Sequence, residues 1–140
     1  MSQARILVIE DSEADVALLQ RILDRELGEH IFEVLPDGGA AMAFVRSHRA
    51  NLELPDPCVI VLDLHLPKHD GLNILREVRR TPALTHIQVV VLSTAVSRAD
   101  LAQVHEYGAH FREKPSDLDG FDALGAFIAN LCRNGVATIA

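Results

Sequence analysis

Residues 58–67 read CVIVLDLHLP. Five apolar residues, three of them β-branched, run without alternation into Asp63 and then into a turn closed by Pro67. A short unbroken apolar run bounded by turn residues reads as a strand buried on both faces, the pattern of a parallel sheet covered by helices on each side. Residues Arg5–Ile9 (RILVI) and 87–92 (IQVVVL) have the same character. Residues 31–35 and 109–112 are weaker and are expected nearer the sheet edges.

Helical patterns fill the intervals. Over residues 13–27, Val16, Leu19, Ile22, Leu23 and Leu27 share one face at three- and four-residue spacing, and Gly28 is placed to stop the helix. Further helices are expected over 39–48, 71–80, 98–107 and 117–133. Ser12, Ser97 and Ser116 each precede an acid by three residues (Asp15, Asp100, Asp119), the pattern in which a hydroxyl and a carboxylate satisfy the free amides of a helix start. These acids are therefore given a structural role first. The order βαβαβαβαβα implies right-handed crossovers and an α/β, doubly wound, five-stranded parallel sheet. Residues 49–57 (RANLELPDP) read as a long exposed loop, and residues 134–140 as a tail.

Composition narrows the function classes. The chain of 140 residues suits one domain over residues 1–140, with its core over about 4–133. Lys and Arg number 13 against 20 Asp and Glu, a net charge of −7 that disfavours nucleic acid and anionic membranes. No apolar run approaches the roughly 18 residues of a membrane span, and the first residues lack the apolar core of a secretion signal. Cys58 and Cys132, far apart in sequence, suggest neither a disulfide framework nor a zinc site, so a cytoplasmic, reducing setting is expected, with Cys58 a small apolar residue.

In an open parallel sheet, ligands bind beyond the carboxyl ends of the strands. Those ends carry Glu10 and Asp11, Asp63, Ser93 and Lys114. Converging carboxylates repel one another and require a cation, for which Lys114 and a magnesium ion with oxygen ligands are suited. His65 and His69 are four residues apart, but Pro67 between them makes the segment a loop, which argues against a transition-metal pair.

The spaced motifs ILVIEDS, VLDLHLPKHDG, VVVLSTA and FREKP, in this order from Ile6 to about Arg133, resemble the response-regulator receiver domains of two-component signalling. The resemblance implies a flavodoxin-like, CheY-like (βα)5 fold with strand order 2-1-3-4-5. It also implies that Asp63 accepts a phosphoryl group from a sensor histidine kinase or phosphotransfer protein. Asp11 and Asp63 would bind Mg²⁺ directly, Glu10 would do so through water, and the backbone carbonyl of His65 would complete the protein ligands. Lys114 would pair with the phosphoryl group, after a cis peptide to Pro115. The Ser93 hydroxyl would swing to another phosphoryl oxygen, with Phe111 changing rotamer alongside it. The output would be a downstream protein partner bound at the face of the fourth helix, fifth strand and fifth helix, by a monomer or a homodimer through that face.

This chain departs from the family pattern at His65, two residues after the acceptor, at Ala95, two after Ser93, and in a Gly108-to-Phe111 spacing one residue short. The long loop before Cys58 resembles a subset of stand-alone receivers, some of which serve phytochrome-type kinases. Such a protein catalyses only its own phosphorylation and dephosphorylation. Two rivals stand beside it. A magnesium-dependent phosphatase with an aspartyl nucleophile usually has a second acid at the position held by His65, and a receiver-like module that binds partners without phosphorylation has no need to retain Glu10, Asp11, Asp63, Ser93 and Lys114 together.

Overall fold

A computed structural model describes residues 3–139, with side chains to residue 134. The strands are β1 (Arg5–Ile9), β2 (Ile31–Leu35), β3 (Val59–Asp63), β4 (Gln88–Ser93) and β5 (His110–Glu113), all parallel in the order β2-β1-β3-β4-β5. β3 lies at the centre with every residue buried, while β2 and β5 form the half-buried edges. Residues of alternate parity enter different layers. Leu7, Ile9, Ile60, Leu62, Val89 and Val91 face the side covered by α2 (Gly38–Ala50), α3 (Gly71–Arg79) and α4 (Arg98–Glu106). Ile6, Val8, Val59, Val61, Val90 and Leu92 face α1 (Glu13–Leu27) and α5 (Leu118–Ile139). The unbroken apolarity of the central strands follows from this two-sided covering.

Local chemistry sets the helix ends. The hydroxyls of Ser12 and Ser97 accept from the amides of Asp15 and Asp100, and the carboxylates of Asp37 and Asp70 cap α2 and α3 in the same way. α5 departs from expectation: Asp117, not Ser116, accepts from the Gly120 amide at 2.7 Å. An ionised oxygen makes the stronger bond to an amide at a helix start. Gly28 ends α1 at φ +67°, a left-handed conformation open to glycine at little cost. A 3-10 turn, Pro82–Leu84, precedes β4 where only a connection was expected. α5 also continues past Arg133 to Ile139, where the sequence suggested a tail.

Two further sequence expectations are overturned. Cys58, just before β3, and Cys132 of α5 form a disulfide, with Cα atoms 5.4 Å apart across 74 residues of sequence. Sequence spacing gave no hint of it, because the pairing depends on α5 returning along the sheet to the start of β3. The peptide between Lys114 and Pro115 is trans, there being no cis peptide among the described residues. The Lys114 amide donates to the Ser93 carbonyl at 2.9 Å, prolonging the β4–β5 ladder, and the long side chain reaches the sheet end from there. The long loop after α2 is tethered by buried His48, whose ring nitrogens lie 3.1 Å from the Phe44 carbonyl and 3.2 Å from that of Pro55.

Candidate functional site

The carboxyl ends of β1 and β3 are adjacent, since Ile9 pairs with Leu62 in register. The next residues, Glu10 and Asp63, are thus brought side by side, both about 5% exposed. Glu10 is oriented by the amide of Asp11, which donates to its Oε2 at 3.0 Å. The His65 amide donates to Asp63 Oδ1 at 3.0 Å, which holds that carboxylate at the rim. Immediately beyond, α3 approaches so closely that a methyl on Gly71 would lie 2.7 Å from the Leu64 carbonyl oxygen. Glycine there lets the β3–α3 loop fold back and keep Asp63 in place.

Lys114 enters from the end of β5. Its Nζ lies 2.5 Å from Glu10 Oε1, 3.1 Å from Asp15 Oδ2 and 3.5 Å from Asp63 Oδ2. Burial acts to lower its pKa but is outweighed by hydrogen bonds to Glu10 and Asp15 and by the charge of Asp63, so the ammonium is held above its usual range. Glu10 is pushed up to about 7, first by burial and then by the neighbouring Asp63, with Lys114 opposing both. One ammonium therefore serves several acids and leaves the cleft short of positive charge.

Asp11 stands exposed at the mouth. Carboxylate oxygens of Glu10, Asp11 and Asp63 lie within 4.8 Å of one another, a cluster able to hold a metal ion. An all-oxygen donor set with one solvent-facing member suits a hard divalent cation that keeps part of its water shell. The two histidines lie elsewhere: His65 Nε2 is 2.9 Å from the Ala95 carbonyl, and the His69 ring packs over Gly38.

Ser93 ends β4, is 1% exposed, and donates its hydroxyl to the Ala95 carbonyl at 2.5 Å. It is therefore turned into the β4–α4 loop and shares its acceptor with His65. Phe111 lies opposite Val91 in register and packs, partly buried, on the layer that contains Val104.

The sequence reading placed Glu10, Asp11, Asp63 and Lys114 at one rim, and they meet there. It missed Asp15. In a reciprocal helix cap the Asp15 carboxylate would bond the Ser12 amide, but that amide faces Glu10 Oε2 at 3.5 Å and Asp15 turns to Lys114. The available signal was position: Asp15 lies one helical turn beyond Asp11, on the end of α1 nearest the acids.

The family model described as the response regulator receiver domain matches residues 6–123. Response regulator Rcp1 of Synechocystis sp. is 42% identical over 101 residues, which cover 72% of this chain and 69% of Rcp1. Response regulator PleD of Caulobacter vibrioides is 38% identical over 115 residues, 81% of this chain but 23% of PleD. Among solved structures, the phosphorylated cyanobacterial phytochrome response regulator RcpA superposes with a TM-score of 0.82 at 30% identity, covering 94% of this chain and 95% of RcpA. The Mn²⁺-bound form of Rcp1 gives 0.77 at 35% identity, covering 91% of each chain. A match that begins inside β1 and ends within α5 spans the whole sheet and its acid-lined end, and the chain belongs to the response regulator receiver domain family.

Proposed function

We propose that Asp63 is the acceptor of a phosphoryl group carried on a histidine of a sensor kinase or phosphotransfer protein. The supporting observation is the setting of its carboxylate: Oδ1 bonded to the His65 amide, Oδ2 3.5 Å from an ammonium, and both beside Glu10 and Asp11. A carboxylate oxygen of Asp63 attacks phosphorus, the bond from phosphorus to the donor imidazole nitrogen breaks, and the electron pair leaves with that ring. The transition state spreads negative charge over the peripheral oxygens, so positioning and electrostatics supply most of the catalysis. Lys114 provides one positive charge. Mg²⁺ held by Asp11, Asp63 and the His65 carbonyl, with Glu10 acting through water, would supply the balance.

Phosphorylation then alters which groups Ser93 bonds. Its hydroxyl leaves the Ala95 carbonyl for a phosphoryl oxygen, the β4–α4 loop follows, and Phe111 repacks against α4. The local charge change thereby reaches the surface of α4, β5 and α5, where a protein partner binds in the cytoplasm. RcpA is described as a phytochrome response regulator, so a phytochrome-type kinase is the first donor to test. Incubation with acetyl phosphate and Mg²⁺ is expected to give one phosphoryl adduct by intact mass, absent in Asp63→Asn. An adduct that persists in that variant would overturn the assignment, as would multiple turnover of small phosphomonoesters, which would indicate a phosphatase.

A further inference from the structure

The disulfide lies at the opposite end of β3 from Asp63, five residues and about 16 Å away along the strand. Cys58 is partly exposed, whereas Cys132 is 3% exposed within the apolar layer formed by Ile6, Val59 and Ile128. We propose that this pair is a second modification site, a thiol–disulfide couple that clasps α5 to the sheet under oxidising conditions and exchanges with small disulfides of the glutathione class.

The different exposure of the two sulfurs orders the chemistry. The Cys58 thiolate attacks a sulfur of the external disulfide, giving a mixed disulfide at Cys58 and expelling one glutathione thiolate. The Cys132 thiolate then attacks the Cys58 sulfur and expels the second. Two protein thiols are oxidised, one external disulfide is reduced, and the two protein thiol protons pass by way of solvent to the two expelled glutathione thiolates, which end as thiols. Reduction must run backward through the same accessible sulfur, expelling Cys132 as a thiolate into apolar surroundings. Burial disfavours that anion, which makes it a poor leaving group and the closed clasp slow to open. Disulfides in reducing compartments are usually transient or redox-sensing, and a dithiol held this close fits the second role.

Closure removes freedom from the unfolded chain across 74 residues of separation and joins α5 covalently to the start of β3. The oxidised protein is expected to melt about 10 °C above the reduced one. Phosphorylation of Asp63 by acetyl phosphate is expected to change less than about twofold, because the acid-lined end of β3 is remote from the clasp.

The test equilibrates the full chain in buffers of varying reduced and oxidised glutathione, followed by acid quench, alkylation and peptide mass mapping. The expected result is a two-electron transition to a linked pair of peptides containing Cys58 and Cys132. Cys132→Ser is expected to accumulate a glutathione adduct on Cys58, while Cys58→Ser stays largely unmodified. Circular dichroism checks that each variant is folded, and the wild-type titration needs neither. Failure to form the internal link at the oxidising extreme, bonds only between two chains, or equal adduct formation on both single variants would overturn the proposal. None of these bears on Asp63, whose labelling is scored separately.

Discussion

Replacing Glu10 by Gln should make the metal-free protein more stable at pH 8 and change it much less at pH 5. Glu10 titrates at about 7 in the folded protein, chiefly because burial penalises its carboxylate and secondly because Asp63 lies beside it. Its usual value is 4.5, so the folded state holds this proton more tightly than the unfolded one. The resulting stability is present in full below pH 4.5 and is lost as the pH rises through 7. The whole difference amounts to roughly 3 kcal/mol, and solvation at the cleft mouth reduces it to about 1–2 kcal/mol. Gln imitates the protonated acid: its oxygen can accept from the Asp11 amide as Glu10 Oε2 does, while its NH₂ takes the place of Oε1 and leaves Lys114 to Asp15 and Asp63.

Urea unfolding with chelator present, from pH 5 to 8, would show the variant's advantage growing steadily from pH 5, levelling off above 7, and reaching about 0.5–1 M in the denaturation midpoint. His110, held below its ordinary value by burial and then by Arg112 and Arg79, titrates in both proteins and cancels in the difference. Parallel stability curves for the two proteins across this range would refute the reasoning. Adding Mg²⁺ should restore the wild type preferentially at the alkaline end, because the ion selects the ionised acid.

Other substitutions probe the frame around the site. Gly71→Ala forces a methyl against the Leu64 backbone and should cost about 2 kcal/mol by chemical denaturation, with slower acetyl phosphate labelling of Asp63. Lys68 adopts φ +66° in the β3–α3 loop, so Lys68→Gly should stabilise by about 0.5 kcal/mol, the relief of strain exceeding the entropy lost. The Arg79 guanidinium donates at 2.7 Å to the carbonyls of both Tyr107 and Ile87, joining the end of α3 to the approaches of β4 and β5. Arg79→Met should cost about 2 kcal/mol, read by thermal unfolding, since those carbonyls lose charged donors. Lys114→Gln should tighten Mg²⁺ several-fold by calorimetry, having removed a competing cation, while slowing phosphorylation.

What could be read from the chain is what its short-range chemistry determines. β1, β2 and α1 have the boundaries that apolar runs and caps predict, and the central strands differ by one residue. Two further differences arise where groups compete for the same partner. At α5, Asp117 takes the cap from Ser116, a contest between neighbouring oxygens that spacing alone does not decide. At α1, the Asp15 carboxylate prefers an ammonium from the far end of the chain to the adjacent amide, because an ion pair in a half-buried cleft is stronger than a rim hydrogen bond.

The cysteines make the same point in an apolar setting. Two small residues separated by 74 positions gain a bond only through the path of α5, which returns along the sheet packed closely on α1, Gly125 meeting Ile22 without a methyl between them. The central strand is consequently held at both ends by groups from the last part of the chain, Lys114 beside Asp63 and Cys132 at Cys58. The two attachments differ in kind. An ammonium shared among acids can be redistributed when charge arrives, whereas a covalent clasp in the apolar layer opens only by exchange at sulfur. On the proposed phosphorylation of Asp63, the first would permit β5 and the β4–α4 loop to respond, while the second would hold α5 against the start of β3.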